Sequence, residues 1–189
     1  MGHLHQQNRC SLHSLILGLL ISLYTLSACT STQFQGRLPP SPEWVFTDLS
    51  KWDQRSLSND GSVSIHGHGQ SAQQTLISKR RALADADAVS NVKARYIELY
   101  TSFLAATPNR TQLVTIMNNL PWEQIVLTHE RYFDAEKNRQ HTLVSIQKNR
   151  LIDAINFERS MDNSKETDWN QVIESIRNFY KSLEFSKTP

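Results

Sequence analysis

Four histidines beyond residue 28 and one cysteine carry most of the chemical potential of this chain. His66 and His68 stand in Ser62-Val63-Ser64-Ile65-His66-Gly67-His68, whose alternation places Val63, Ile65 and Gly67 on one face of a half-buried strand. On a strand, residues two apart share a face, so these imidazoles could hold zinc or copper, with His129 or His141 as a third ligand. A structural zinc site takes four ligands, and no cysteine is free to help. Histidines facing solvent are therefore the simpler expectation, and no metal or other cofactor is expected. Hydrolase chemistry has less support, because no Gly-x-Ser-x-Gly elbow occurs and no acid is fixed beside a candidate base. Gly67-x-Gly69 stands where a phosphate-binding turn would, but it lacks the third glycine and the lysine-serine pair. Backbone crowding at a tight strand-to-helix passage is the expected reason for both glycines. No catalytic residue and no small-molecule substrate follow from the sequence.

The cysteine is more informative. Cys29 closes Leu26-Ser27-Ala28-Cys29 at the end of the apolar run Leu15–Leu26. An aliphatic residue, two small residues and a cysteine match the lipobox of bacterial lipoproteins. Small side chains let a peptidase seat an extended backbone, and the thiol is the nucleophile that takes a diacylglyceryl group. The apolar run is short of the roughly 20 residues that span a bilayer, and Arg9 alone gives the segment before it a permanent charge. Residues 1–28 therefore read as a signal peptide cut between Ala28 and Cys29. Two or more lipid chains on Cys29 would make anchoring stable, where one would be marginal. Thr30 follows, where aspartate would be the commonest signal for inner-membrane retention, so the periplasmic side of the outer membrane is the expected location.

Loss of Arg9 with the signal leaves 19 Lys+Arg against 18 Asp+Glu. That balance excludes a nucleic-acid binder, which needs a basic excess or stripe. Cys10 leaves with the signal and Cys29 is blocked by lipid, so no disulfide is expected and the fold must hold by packing.

Residues 29–42, with prolines at 39, 40 and 42, predict a flexible tether, and 43–189 a single domain. Trp44 is expected to plug the entering chain onto the core, and Asn59-Asp60-Gly61 to form a turn. A long helix is predicted over Ser71–Leu104, with Ala82, Ala86, Val89, Val92, Tyr96, Leu99, Tyr100 and Phe103 on its buried face and Arg95 on its wet face. Lys79-Arg80-Arg81 is expected on a solvated helix face. Leu113, Ile116, Met117 and Leu120 predict a short helix up to Pro121. Glu123–Phe133 and Gln140–Gln147 predict a hairpin around Asp134–Arg139, with Ile125, Leu127 and Phe133 sharing one face and Thr142, Val144 and Ile146 alternating on the other strand. Leu151, Ile152 and Ile155 predict a further helix. The last helix, 167–184, takes Thr167 as N-cap and shows Trp169, Val172, Ile173, Ile176, Phe179, Tyr180 and Leu183 as one stripe. That stripe must be covered by the domain's own sheet or by a partner, with Trp169, Ile173, Ile176 and Tyr180 as the partner-binding candidates. The class expected is α+β: a long alanine-rich helix on a small, mainly antiparallel sheet, with a C-terminal amphipathic helix.

Taken in order, Pro42-Glu43-Trp44-Val45, Ile65-His66-Gly67-His68-Gly69, Lys79–Ala94 and Thr142–Ile146 resemble the LPP-twenty lipoprotein family, whose relatives include outer-membrane lipoproteins of flagellar assembly. The resemblance covers most of residues 42–148. It implies a compact domain with helix against sheet and no enzymatic activity. The histidines around Gly67 and the helix after Thr167 depart from that pattern. The function expected is a structural role, with other envelope proteins as partners, in a secretion-system outer-membrane complex or a flagellar basal structure. The alternative is a freestanding periplasmic binding or sensor module, for a metal if His66 and His68 ligate.

Overall fold

A computed structural model describes residues 40–51, 53, 63–72, 76–163 and 166–185. The lipobox, the signal segment and the turn at Asn59-Asp60-Gly61 lie outside the described residues. The fold is α+β, as expected: five helices and one antiparallel sheet. Strand β1 (Ser64–Gln70) leads to helix α1 (Ile77–Phe103), then α2 (Arg110–Asn119) and a single turn α3 (Trp122–Ile125). The hairpin β2 (Leu127–Asp134) and β3 (Arg139–Gln147) follows, then α4 (Lys148–Met161) and α5 (Trp169–Phe185). Strand order is β1-β3-β2, so the last strand in sequence is central.

Pairing Ile65 with Ile146, Gly67 with Val144 and Gly69 with Thr142 puts these six residues on one face. Helix α1 lies on that face. The two glycines are spaces for it: a Cβ on Gly67 would come 2.4 Å from Val92 Cβ, and one on Gly69 2.1 Å from the Ala88 nitrogen. Backbone crowding is thus the reason for Gly67-x-Gly69, but it comes from the body of α1 lying across β1 and not from the strand-to-helix passage that the sequence suggested.

The buried row of α1 is Ala84, Ala88, Val92, Tyr96 and Tyr100, continued by Leu104 just past its end. A spacing of four at 3.6 residues per turn drifts by about 40° per step, so the buried face winds about 160° around the helix. Its alanine end meets the sheet. Its aromatic end turns into a second cluster, where Tyr96 and Tyr100 each lie 5.4 Å from the Phe179 ring of α5. The expected phase is met at Val92, Tyr96 and Tyr100 but not elsewhere, because Ala82, Ala86 and Phe103 are exposed, Val89 and Leu99 are half-buried, and Ala84 and Ala88 are buried instead. Helix α1 also starts later than expected. Ser71 instead prolongs the ladder, its N–H donating to Gln140 O at 2.8 Å and its Oγ accepting from Gln140 N at 3.0 Å.

The hairpin differs from expectation at its start. Pro121 begins a helical turn that buries Trp122 and Ile125, so the first strand opens at Leu127 rather than Glu123. A β-bulge between Thr128 and Glu130 then shifts the alternation by one residue. Leu127, opposite Ser145, and Phe133, opposite Gln140, therefore lie on different faces, and Phe133 is exposed. Arg80 lies over the Phe133 ring and donates to Asn138 Oδ1, so it is buried while Lys79 and Arg81 are solvated as expected.

The C-terminal helix starts at Trp169, with Asp168 rather than Thr167 as its cap: Asp168 Oδ1 accepts from Gln171 N at 3.1 Å. Val172, Ile173, Ile176, Phe179 and Tyr180 are buried in the same core as Tyr96 and Ile146, and Tyr180 OH donates to Ile146 O at 3.1 Å. The domain covers its own stripe.

Candidate functional site: the histidine face of the sheet

The face of the sheet away from α1 holds the chemistry. Pairing of His66 with Ser145, His68 with Leu143 and Gln70 with His141 places those histidines there. The bulge brings in His129, whose ring lies 5.8 Å from that of His66 and whose Nε2 is 2.6 Å from Ser145 Oγ. All four histidines beyond residue 28 therefore share one face. They do not face solvent as expected. His66 is fully buried, His141 is buried, and His68 and His129 are half-buried.

The cover is the segment before β1. Trp44 is buried across this face, its ring edge-on to His68 at 5.5 Å and its indole N–H donating to Glu130 Oε2 at 2.8 Å. Ser41 Oγ and Tyr132 OH are 3.0 Å apart. Trp44 thus docks the entering chain as the sequence predicted.

The same segment closes the free edge of β1. Asp53 Oδ1 accepts from His66 N at 2.8 Å, and Arg95 Nη1 donates to His66 O at 2.9 Å. Arg95 and Asp53 pair at 2.5 Å. Farther along the edge, Asn91 Nδ2 donates to His68 O at 3.0 Å and Asp87 Oδ2 accepts from Gln70 N at 2.8 Å. Side chains of α1 thus occupy hydrogen-bonding positions that another strand would use. Arg95, expected on the wet face of α1, is half-buried in this role. No hydropathy pattern marks Asp53, Asp87, Asn91 or Arg95, since each is an ordinary polar residue until β1 lies beside it.

The imidazoles form two pairs, His68 with His141 and His66 with His129. His68 Nε2 and His141 Nδ1 are 2.9 Å apart with the rings stacked, and His66 Nδ1 also lies 3.3 Å from Asp53 Oδ1. His66 Nε2 and His141 Nε2 are buried without a hydrogen-bond partner. Burial holds His68 below the ordinary histidine range, against the pull of Asp87. Burial and the neighbouring His66 lower His129. Burial, His68, Lys137 and Arg139 lower His141, while Asp134 opposes them.

No family model and no curated protein matches the chain.

The geometry limits what the site can do. Among the described residues, no three His, Cys, Asp or Glu side chains converge to hold a metal ion, since His129 joins His66 while His141 joins His68. Ser145 and His129 have the contact of a nucleophile and its base. Ser145 is fully buried in the central strand, however, where a working nucleophile must be open to its substrate. The expected partner-binding residues are corrected as well: Ile173, Ile176 and Tyr180 are buried within the domain, and Trp169 is half-buried with its indole N–H on Asp162 Oδ2 at 2.9 Å. Cys29 and the Ala28–Cys29 bond lie outside the described residues.

Proposed function

We propose that the chain is a lipoprotein held in the outer membrane through Cys29, on its periplasmic side, with a structural role in a cell-envelope assembly such as a secretion-system outer-membrane complex or a flagellar basal structure. The observation that carries this reading is Leu26-Ser27-Ala28-Cys29 at the end of the apolar run Leu15–Leu26. Two others support it. Among the described residues, no helix is long and apolar enough to cross a membrane. Among the described residues, the polar face of the sheet is packed largely under its own chain, with Trp44 buried across it. The LPP-twenty resemblance of residues 42–148 agrees with a non-enzymatic role.

Replacing Cys29 with serine tests the anchor, because a hydroxyl does not substitute for the thiol. In cells fed an alkyne fatty acid, the unsubstituted chain takes up label and fractionates with membranes, while Cys29→Ser takes up none. Equal labelling of both would refute the anchor. Purification from detergent-solubilised membranes tests the structural role. Co-elution of other envelope proteins is expected, and recovery of the chain alone would count against an assembly.

A further inference from the structure

We infer that the histidine face and the strap above it, residues 40–51 with Asp53, form an acid-sensitive latch: proton uptake by His68, His129 and His141 frees the strap from the sheet while the α1 side of the fold stays closed. The inference rests on placement. The histidines beyond residue 28 are collected on one face, and the strap closes directly on it through Trp44 on His68 and Asp53 on His66.

Charging these rings in place is costly. A proton added to the His68–His141 pair puts a cation between stacked rings, and His141 Nε2 is buried with no acceptor for an N–H. The groups around His141 are mixed: Tyr132 on β2, Asp134, Lys137 and Arg139 at the hairpin end, and His68 itself. His68 faces the Trp44 edge, with Asp87 of α1 as its nearest acidic influence. His129 faces Ser145 and His66, and neither supplies a negative charge. Glu130 of β2 already accepts from the Trp44 indole. His66 differs, because it has Asp53 and Arg95 beside it, and it is not assigned to the latch.

The sign follows from burial. Each of the three rings holds its proton less tightly when covered than when exposed. The closed form is therefore fully favoured above the ordinary histidine value of about 6.5 and loses ground as pH falls below it, until the lowered values of the closed form are passed. Each ring that takes a proton on opening makes opening up to about tenfold more favourable per pH unit.

Hydrogen exchange on the full chain, in detergent with EDTA present, reads this directly. The amides of Val45, Phe46 and Thr47 are hydrogen-bonded within the strap, and that of His66 is bonded to Asp53. Between about pH 7.5 and about pH 5, after correction for intrinsic exchange, these amides should lose at least about tenfold in protection while α4 and α5 keep theirs. His129→Gln with His141→Gln should flatten that dependence. Unchanged strap protection, equal loss in every element, or a full pH response in the double variant would each overturn the latch. Should the variant not fold, imidazole NMR titration of the unsubstituted chain decides. Midpoints of His68, His129 and His141 that coincide with broadening of the Trp44 indole N–H support the latch, and midpoints unrelated to that signal refute it.

Discussion

Gly69→Ala is expected to cost the domain more than about 3 kcal/mol, near or above the upper end of ordinary overpacking. The added Cβ would lie 2.1 Å from the Ala88 nitrogen, 2.3 Å from the Ala84 oxygen and 2.6 Å from the Ala88 Cα. All three are backbone atoms of α1, so no rotamer change relieves the contact and the helix must back away. Doing so pulls Asp87 from Gln70 N, Asn91 from His68 O and Asp85 from both Arg131 and Thr142. A domain of this size has about 5–15 kcal/mol in total, so the variant should be marginal at room temperature. Ala82→Leu on the exposed side of the same helix should change stability by no more than about 0.5 kcal/mol. Urea melts of the two, run together, are the check. A Gly69→Ala protein as stable as the parent would mean that β1 and α1 are not in backbone contact.

Removal of everything after Met161 should abolish cooperative folding. Helix α5 contributes Val172, Ile173, Ile176, Phe179 and Tyr180 to the core. At roughly 1.5–3 kcal/mol for each buried side chain, their loss is comparable with the whole stability of the domain. The truncation also uncovers Tyr96 and Ile146, both fully buried, and leaves Ile146 O without the Tyr180 hydroxyl. The expected product aggregates, or binds a hydrophobic dye without a thermal transition. A truncated chain with a sharp melt close to the parent's would show that α5 is a separable appendage.

Most of the architecture was legible because it follows from periodicity. The alternation Thr142, Val144, Ile146 and the helical stripe from Trp169 to Leu183 each marked a real element. Phase was lost where periodicity carries no information. Alanine occupies positions 82, 84, 86 and 88, so two opposite sides of that part of α1 look equally buriable. The choice between them was made by Gly69, more than a dozen residues upstream, against whose backbone Ala84 and Ala88 lie. The bulge at His129 was hidden for a related reason: a one-residue slip in a short strand leaves the composition unchanged and reverses every later face. At the histidine face, the spacing of His66 and His68 gave the shared face correctly. Their burial was not readable, because it depends on Trp44 crossing the sheet and nothing local fixes that path.

The order β1-β3-β2 also governs when the chain can close. Ser71 and Gln140, bonded across the sheet, are 69 residues apart in sequence, and the strand that joins the two halves is the last of the three to be synthesised. The β2–β3 hairpin closes a short turn, but seating β1 means looping the whole of α1 and α2 back, at an entropic cost that grows with loop length. Until β3 has emerged as far as Gln147, β1 and the helix on it have no complete central strand to lie against. For a protein proposed to work beyond a membrane, that order postpones completion of the sheet until most of the chain has been made.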